Sequence, residues 1–174
     1  MSPVGCWIDK LTQSIEDVST GISLQTSVLP FEFSDLSKVL KKNGWSFNWK
    51  KEYGLFDRRI YKLLIEGDSV IQGLISLQKI ENYIEMYLIE SAPHNIGKTK
   101  KYAGVPGNLV AFACKMSYDL GCEGYVAFTP KSRLIEHYIN SLGASLIFRN
   151  RMCISGDSAR NLVNLYYKNY LHGK

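Results

Sequence analysis

From Arg59 onward apolar positions recur with a period of two: Tyr61, Leu63 and Ile65, then, beyond Gly67-Asp68, Ile71, Gly73, Ile75 and Leu77. That is the spacing of half-buried strands, and a Gly-Asp pair between two such runs turns the chain, so the pattern predicts a hairpin. A second turn at Glu81-Asn82 leads into a third antiparallel strand, Tyr83 to Ser91, with Ile84, Met86 and Leu88 on one face and Tyr83, Glu85, Tyr87 and Ile89 on the other. After a loop from Ala92 to Val105 the period changes. Leu109, Phe112, Ala113, Met116 and Leu120 recur at helical spacing, with Asn108, Lys115 and Asp119 opposite them and Gly121 at the C′ position. Gly124 to Phe128 is a short apolar strand. Thr129-Pro130 has the hydroxyl and proline of a helix start, and the helix from Lys131 to Leu142 carries Leu134, Ile135, Tyr138, Ile139 and Leu142 on one face before Gly143. Strand, helix, strand in this order predicts a parallel pair with a right-handed crossover.

The flanks are less regular. Val4 to Lys10 reads as a first strand, while Thr12 to Ser27, rich in Ser and Thr, has no assignable period. Ser34 is placed to cap a short helix with Leu36, Val39 and Leu40 inward and Asn43-Gly44 as its stop. Trp45, Phe47, Trp49, Tyr53 and Phe56 then cluster among charges, as a satellite core or as the lining of a substrate pocket. Ser145 to Ile154 is a last strand or hairpin arm. Asp157 caps a final helix with Ala159, Leu162, Val163, Tyr166 and Tyr170 inward.

A chain of 174 residues, 45% apolar and 21% charged, builds one core, so residues 1–174 are expected to form a single domain. Its 21 basic and 16 acidic residues give a net charge of +5, spread without a block, which argues against a nucleic-acid partner. No apolar run is long enough for a membrane span, and the N-terminus lacks the regions of a signal peptide. Cys6, Cys114, Cys122 and Cys153 have no metal-ligand spacing and are expected as reduced thiols in the cytoplasm. His94, His137 and His172 stand alone, so no metal site is expected.

The chemistry concentrates at Lys100-Lys101-Tyr102-Ala103-Gly104-Val105-Pro106-Gly107-Asn108-Leu109. Glycines opening a helix, with lysines just before them, put unpaired N–H groups and cations in one place, an anion site. Pro106 has no N–H to give, which leaves the amides of Gly104, Val105, Gly107 and Asn108. Lys98 and Lys100 either hold a further phosphate or solvate the loop. A plain Gly-Pro turn entering a helix fits the same residues.

This loop, with Lys101, Gly104 and Gly107 followed by Leu109, is similar to the Arg/Gln-x-x-Gly-x-Gly/Ala pattern of the GCN5-related N-acetyltransferases. Lys101 stands for Arg or Gln, and Pro106 takes the second glycine position. A second segment, Ser132 to Ala144, resembles that family's Asn-x-x-Ala-x-x-x-Tyr-x-x-x-Gly-Phe, keeping the Tyr138-to-Gly143 spacing, with Lys131 in place of Asn and Ala144 in place of Phe. The likeness covers about Arg59 to Ala144. It implies an α/β fold, a mixed and mostly antiparallel sheet flanked by helices around a strand–loop–helix–strand–helix acyl-CoA unit. It also implies acetyl transfer from acetyl-CoA to an amine by direct attack, without a metal. On this resemblance coenzyme A lies along Leu88, Ile89, Glu90, Lys101, Gly104, Val105, Gly107, Asn108 and Arg133. Tyr138 is the proton donor to the departing thiolate. Glu85 or Glu90 is the proton acceptor, with Tyr87 and His94 as lesser options. The implied partners are acetyl-CoA and an amine acceptor that the sequence does not identify, and a homodimer is left open. Two other readings remain at this point: a non-catalytic CoA-binding regulatory module, and an anion-binding protein unrelated to CoA.

Overall fold

The structure, a computed structural model, describes residues 2–171. In chain order the elements are β1 (Ile15–Asp17), β2 (Ser23–Leu24), β3 (Thr26–Pro30), α1 (Trp49–Tyr53), β4 (Arg59–Ile65), β5 (Ile71–Ile80), β6 (Tyr83–Ser91), β7 (Tyr102–Ala103), α2 (Val105–Asp119), β8 (Val126–Phe128), α3 (Ile135–Leu142), β9 (Ser145–Phe148), β10 (Arg151–Ile154) and α4 (Gly156–Tyr166). Seven strands form the main sheet in the order β3-β4-β5-β6-β8-β10-β9. Its pairs are antiparallel except β6 with β8, which run parallel across the α2 connection. A small sheet, β2-β1-β7, ties the N-terminal third to the residues just before α2. The hairpin, the third strand and the parallel pair follow the hydrophobic pattern.

Two apolar clusters hold the sheet. Leu63, Ile75, Leu77, Ile84, Val126 and Phe128 pack with α2, α3 and α4 in the larger one. Ile60, Leu64, Leu74, Trp45 and Trp49 form the smaller one, so Trp45 and Trp49 belong to a satellite core with Phe47 packed on it, whereas Tyr53 and Phe56 are exposed. Successive residues Leu63 and Leu64 fall in different clusters, as alternation along a strand requires.

Several expectations are corrected. Val4 to Lys10 is extended but makes only one bridge, Val4 to Pro130, so it is not a strand of the sheet. The segment after Phe31 is two 3-10 turns, and the first begins after Glu32, whose N–H donates to the Asp35 carboxylate at 2.8 Å. Ser34 is therefore inside it and caps nothing. Thr129-Pro130 does not start a helix, because Thr129 O and Lys131 N both bond to Val4 and keep the chain extended until Ser132. In β6, Leu77 pairs with Met86 and Ser76 with Leu88, leaving Tyr87 as an extra residue. Such a bulge reverses the alternation beyond it. Ile89 accordingly joins Ile84 and Met86 in the larger cluster, and Leu88 packs on the smaller one. The α2 helix is covered nearly all round at its start: Val110, Cys114 and Ser117 are buried while Leu120 is exposed. It lies between the sheet, α4 and the N-terminal segment, so its stripe is wider than one face.

Candidate active site

β6 and β8 pair at only two positions, Ile84 with Val126 and Glu85 with Ala127. β8 ends at Phe128 and β6 continues to Ser91, so the edge of β6 from Met86 onward has no partner in β8. Two features face this opening. One is the start of α2, where Gly104, at φ +90°, is the N-cap and the first turn leaves N–H groups without intrahelical acceptors. The other is Tyr138 on α3, only 1% exposed, its ring edge-on to Phe128 at 5.4 Å between centroids. Burial, with Cys6 nearby, pushes the Tyr138 phenol well above its ordinary range, so it stays protonated at neutral pH.

The opening is threaded by the protein's own N-terminal segment. Val4 N donates to Thr129 O and Lys131 N donates to Val4 O, each at 2.7 Å, which docks the segment on the chain leaving β8. The Tyr138 hydroxyl donates to the Cys6 carbonyl at 2.6 Å, and the Cys6 thiol lies against the backbone and hydroxyl of Ser91 at the end of β6. Desolvation, with Asp9 and Glu90 nearby, raises that thiol to about 12, so it is no nucleophile at neutral pH. Trp7 stacks on His137 at 3.6 Å, and Ile8 N donates to His137 Nε2 at 3.0 Å. Asp9 then reaches the helix start: its carboxylate accepts from Gly104 N at 3.2 Å and from Lys100 Nζ at 2.8 Å. Leu11 and the carbonyl of Lys10 lie over Gly107, where an added Cβ would come within 2.8 Å of Leu11. Val4 and Ile8 are buried as anchors. What remains open is a cavity of about 390 Å³ with Gly5, Cys6 and Asp9 on one wall and Ile89, Glu90 and Ser91 on the other.

The site residues read from the sequence do not all fall together. Ile89 and Glu90 line the opening, Tyr138 meets the segment at Cys6, and Gly104 and Gly107 lie under Asp9 and Leu11, whereas Val105 is buried in the core against Gly73 of β5. Glu90 lines the opening, yet its carboxylate accepts from Ser46 N at 2.6 Å, Phe47 N at 3.2 Å and Trp49 Nε1 at 2.8 Å, tying the satellite core to β6. Asn108 is inside the helix: its N–H bonds Gly104 O and its side chain donates to Thr26. Lys101 and Arg133 are exposed, and Lys101 lies over the Tyr102 ring. Leu88 packs with the satellite core. Glu85 does not line the cavity. It pairs with Arg151 at 2.7 Å, its second oxygen is buried without a partner, and burial raises its carboxyl. Tyr87 carries the Arg58 guanidinium on its ring, and His94 bonds Gln72. His172 lies outside the described residues. Among the described residues no three His, Cys, Asp or Glu side chains group as a metal site, and no helix is long and apolar enough to cross a membrane. Sequence reasoning missed Asp9, Cys6 and His137 as members of the site. Its only signal was a buried-looking Val4-to-Ile8 pattern ahead of a lone aspartate.

No family model matches the chain, and no curated protein matches its sequence. Solved structures do match. The Bacillus subtilis acetyltransferase in complex with CoA is 17% identical, with 77% of this chain and 99% of that chain covered at a TM-score of 0.50. A mutant form of the spermidine/spermine N-acetyltransferase SpeG from Vibrio cholerae is 16% identical, with 79% and 97% covered at 0.52. A domain from Methanocaldococcus jannaschii is 12% identical, with 75% and 97% covered at 0.52. The chain has the fold of the GCN5-related N-acetyltransferases. At these identities the likeness establishes the fold.

Acetyl-CoA can be tested against the residues present. The donors suit a phosphate, since Gly104 N–H and Lys100 already hold a carboxylate. Residues 4–12 lie in the space along β6 and leave open the cavity beside Ile89, Glu90 and Ser91.

Proposed function

We propose that this protein transfers an acetyl group from acetyl-CoA to a primary amine. The observation that carries the reading is the alignment of three features along the unpaired edge of β6. Anion-holding Gly104 and Lys100 mark one end, the Tyr138 hydroxyl lies further along, and the β6 edge at Leu88–Glu90, unpaired by β8, would polarise a carbonyl once residues 4–12 are out of the groove. In the reaction the amine nitrogen bonds to the acyl carbon, the carbon–sulfur bond breaks, and the thiolate takes the Tyr138 proton, which solvent restores. The proton lost from nitrogen goes to water, because Glu90 is engaged by three N–H donors and Glu85 pairs with Arg151.

A cavity of about 550 Å³ adjoins the site through Ser46 and Phe47 and carries Lys41, Lys51 and Arg58 against Glu52. Arg58 is held by Glu52 at 2.8 Å, which leaves the two lysines as surplus charge. That balance favours an amine bearing an anionic group over a polycation such as the spermidine of the similar Vibrio enzyme. The second reading, a CoA-binding module without turnover, is favoured by one observation, the segment lying in the groove.

Thiol release from acetyl-CoA, measured with amino acids, an acidic peptide, spermidine and an aminoglycoside, tests the proposal. Acceptor-dependent release, strongest with the acidic amines, is expected. CoA binding without turnover on any acceptor would leave the second reading, and absence of CoA binding would leave an anion-binding protein unrelated to CoA.

A further inference from the structure

At three points residues 4–12 do what an extended, anionic ligand of this groove would do. Their backbone pairs with the chain leaving β8, a carbonyl takes the Tyr138 hydroxyl, and a carboxylate sits on the N-cap of α2 beside a lysine. The segment enters from the side of the basic cavity, where Ser2 is part of the lining, and leaves over the helix start at Leu11. It thus runs through the opening from the acceptor side to the phosphate side. The hold is a series of single contacts, the hydrogen bonds of Val4, Cys6, Ile8, Asp9 and Thr12, the last from its N–H to the Tyr166 hydroxyl at 2.9 Å, while Trp7 is 60% exposed and stacks on His137. From Ile15 the chain is fixed independently by β1, paired to β2 and β7. Release of residues 4–12 therefore leaves β7 paired to β1, and at the β7–α2 junction it takes away the Asp9 and Thr12 contacts of Gly104.

We propose that residues 4–12 are an intramolecular competitor of acetyl-CoA, with Asp9 in the place of a phosphate and the Cys6 carbonyl in the place of the group that Tyr138 serves. Acetyl-CoA binds only when the segment leaves, and binding and release are one equilibrium. This rests on the acetyl-CoA reading of the groove and adds its regulation. Anything that draws the N-terminus away raises the affinity for acetyl-CoA and frees the Tyr138 hydroxyl from the Cys6 carbonyl.

Three measurements on the full chain test it, with coenzyme A as the probe. Asp9→Ala removes the carboxylate from Gly104 and Lys100 and should bind CoA about tenfold more tightly by calorimetry, a charge-assisted contact being lost from the closed form only. Cleavage by trypsin after Lys10, followed by mass spectrometry of the N-terminal peptide, should speed up as CoA is added to the unaltered protein. Ser91→Cys places a thiol against Cys6. Under oxidation the disulfide should abolish CoA binding, and reductant should restore it.

An oxidised Ser91→Cys protein that binds CoA as well as the reduced one overturns the proposal. So does unchanged affinity in Asp9→Ala together with a protected Lys10 at saturating CoA. In both cases the acetyl-CoA reading stands. If CoA binds neither the unaltered protein, nor Asp9→Ala, nor reduced Ser91→Cys, with all three folded by circular dichroism, the acetyl-CoA reading itself fails and this inference with it.

Discussion

Tyr138→Phe separates packing, latching and catalysis in a single substitution. The ring is kept, and with it the edge-to-face contact on Phe128. What is lost is the hydroxyl that donates to the Cys6 carbonyl at 2.6 Å. Removing one partner of a shielded hydrogen bond costs about 1–2 kcal/mol, and in a chain of this size each kcal/mol moves the melting temperature by about 2–4 °C. A fall of about 2–8 °C is therefore expected. The bond exists only with the segment in the groove, so its loss also weakens the closed form: about 1 kcal/mol corresponds to roughly fivefold tighter CoA binding.

Turnover should move the other way. General acid catalysis contributes about a hundredfold to ten-thousandfold. A thiolate leaves more readily than an alkoxide, so the loss expected for a proton donor to sulfur is about tenfold to a thousandfold in kcat. Tighter CoA binding with a lower kcat is the signature, because a residue serving only as core predicts neither. Scanning fluorimetry, calorimetry with CoA and steady-state kinetics read the three quantities on one preparation. Full kcat under conditions where chemistry limits turnover, with unchanged CoA affinity, would refute the reasoning and leave Tyr138 a packing residue.

Glu90→Gln should lower the urea midpoint by an amount equivalent to about 1–3 kcal/mol at unchanged m, since an amide offers one acceptor oxygen to the three N–H groups of Ser46, Phe47 and Trp49. An unchanged midpoint would show that these bonds do not anchor the satellite core. His137 accepts Ile8 N–H at Nε2, which an imidazolium cannot do, and burial lowers its pKa from 6.5. The stabilisation it gives the segment is complete above about pH 6.5–7 and is lost as pH falls through the lowered value of the folded state. Tryptic cleavage after Lys10 in matched short pulses, corrected for protease activity, should therefore rise from pH 7.5 to 5.5 and lose that rise in His137→Gln. A flat profile would detach His137 from the hold on the segment.

The central part of the fold was legible because its signals are local. Period two from Arg59, Gly67-Asp68 as a turn and the periodic run to Leu142 are all kept as elements, although Ile139, expected on the inward face of that run, is 42% exposed. The places of Tyr138, buried on α3, and of Gly104, the N-cap of α2, were legible through spacing within a motif, while their roles rest on the proposal. The bulge at Tyr87 was not, since one extra residue leaves no mark on composition, and it moved Ile89 and Leu88 to opposite faces. The role of Glu90 was hidden too, because its donors are backbone and indole N–H groups more than forty residues away in sequence. Least legible was the N-terminal segment. Val4 to Lys10 has the alternation of a strand and is extended, but its partner is a gap in the sheet, and gaps have no sequence signature.

How firmly that segment sits follows from opposed quantities. Burying Val4 and Ile8 contributes about 1.5–3 kcal/mol each, and the hydrogen bonds from Val4 to Asp9 about 1 kcal/mol apiece. Fixing nine residues costs about 1–2 kcal/mol per residue in backbone freedom. The two sums overlap, so neither form is favoured by much, and the contacts of the segment in the groove make the closed form the lower one. If that preference is about 2 kcal/mol, roughly one molecule in thirty is open, and CoA binds about thirtyfold more weakly than the open groove allows. A segment held by much more would make the groove useless to CoA, and one held by much less would not occupy it. The contacts at Cys6, Ile8 and Asp9 each carry about the amount that decides between these regimes, so single substitutions there are expected to read directly as changes in CoA affinity.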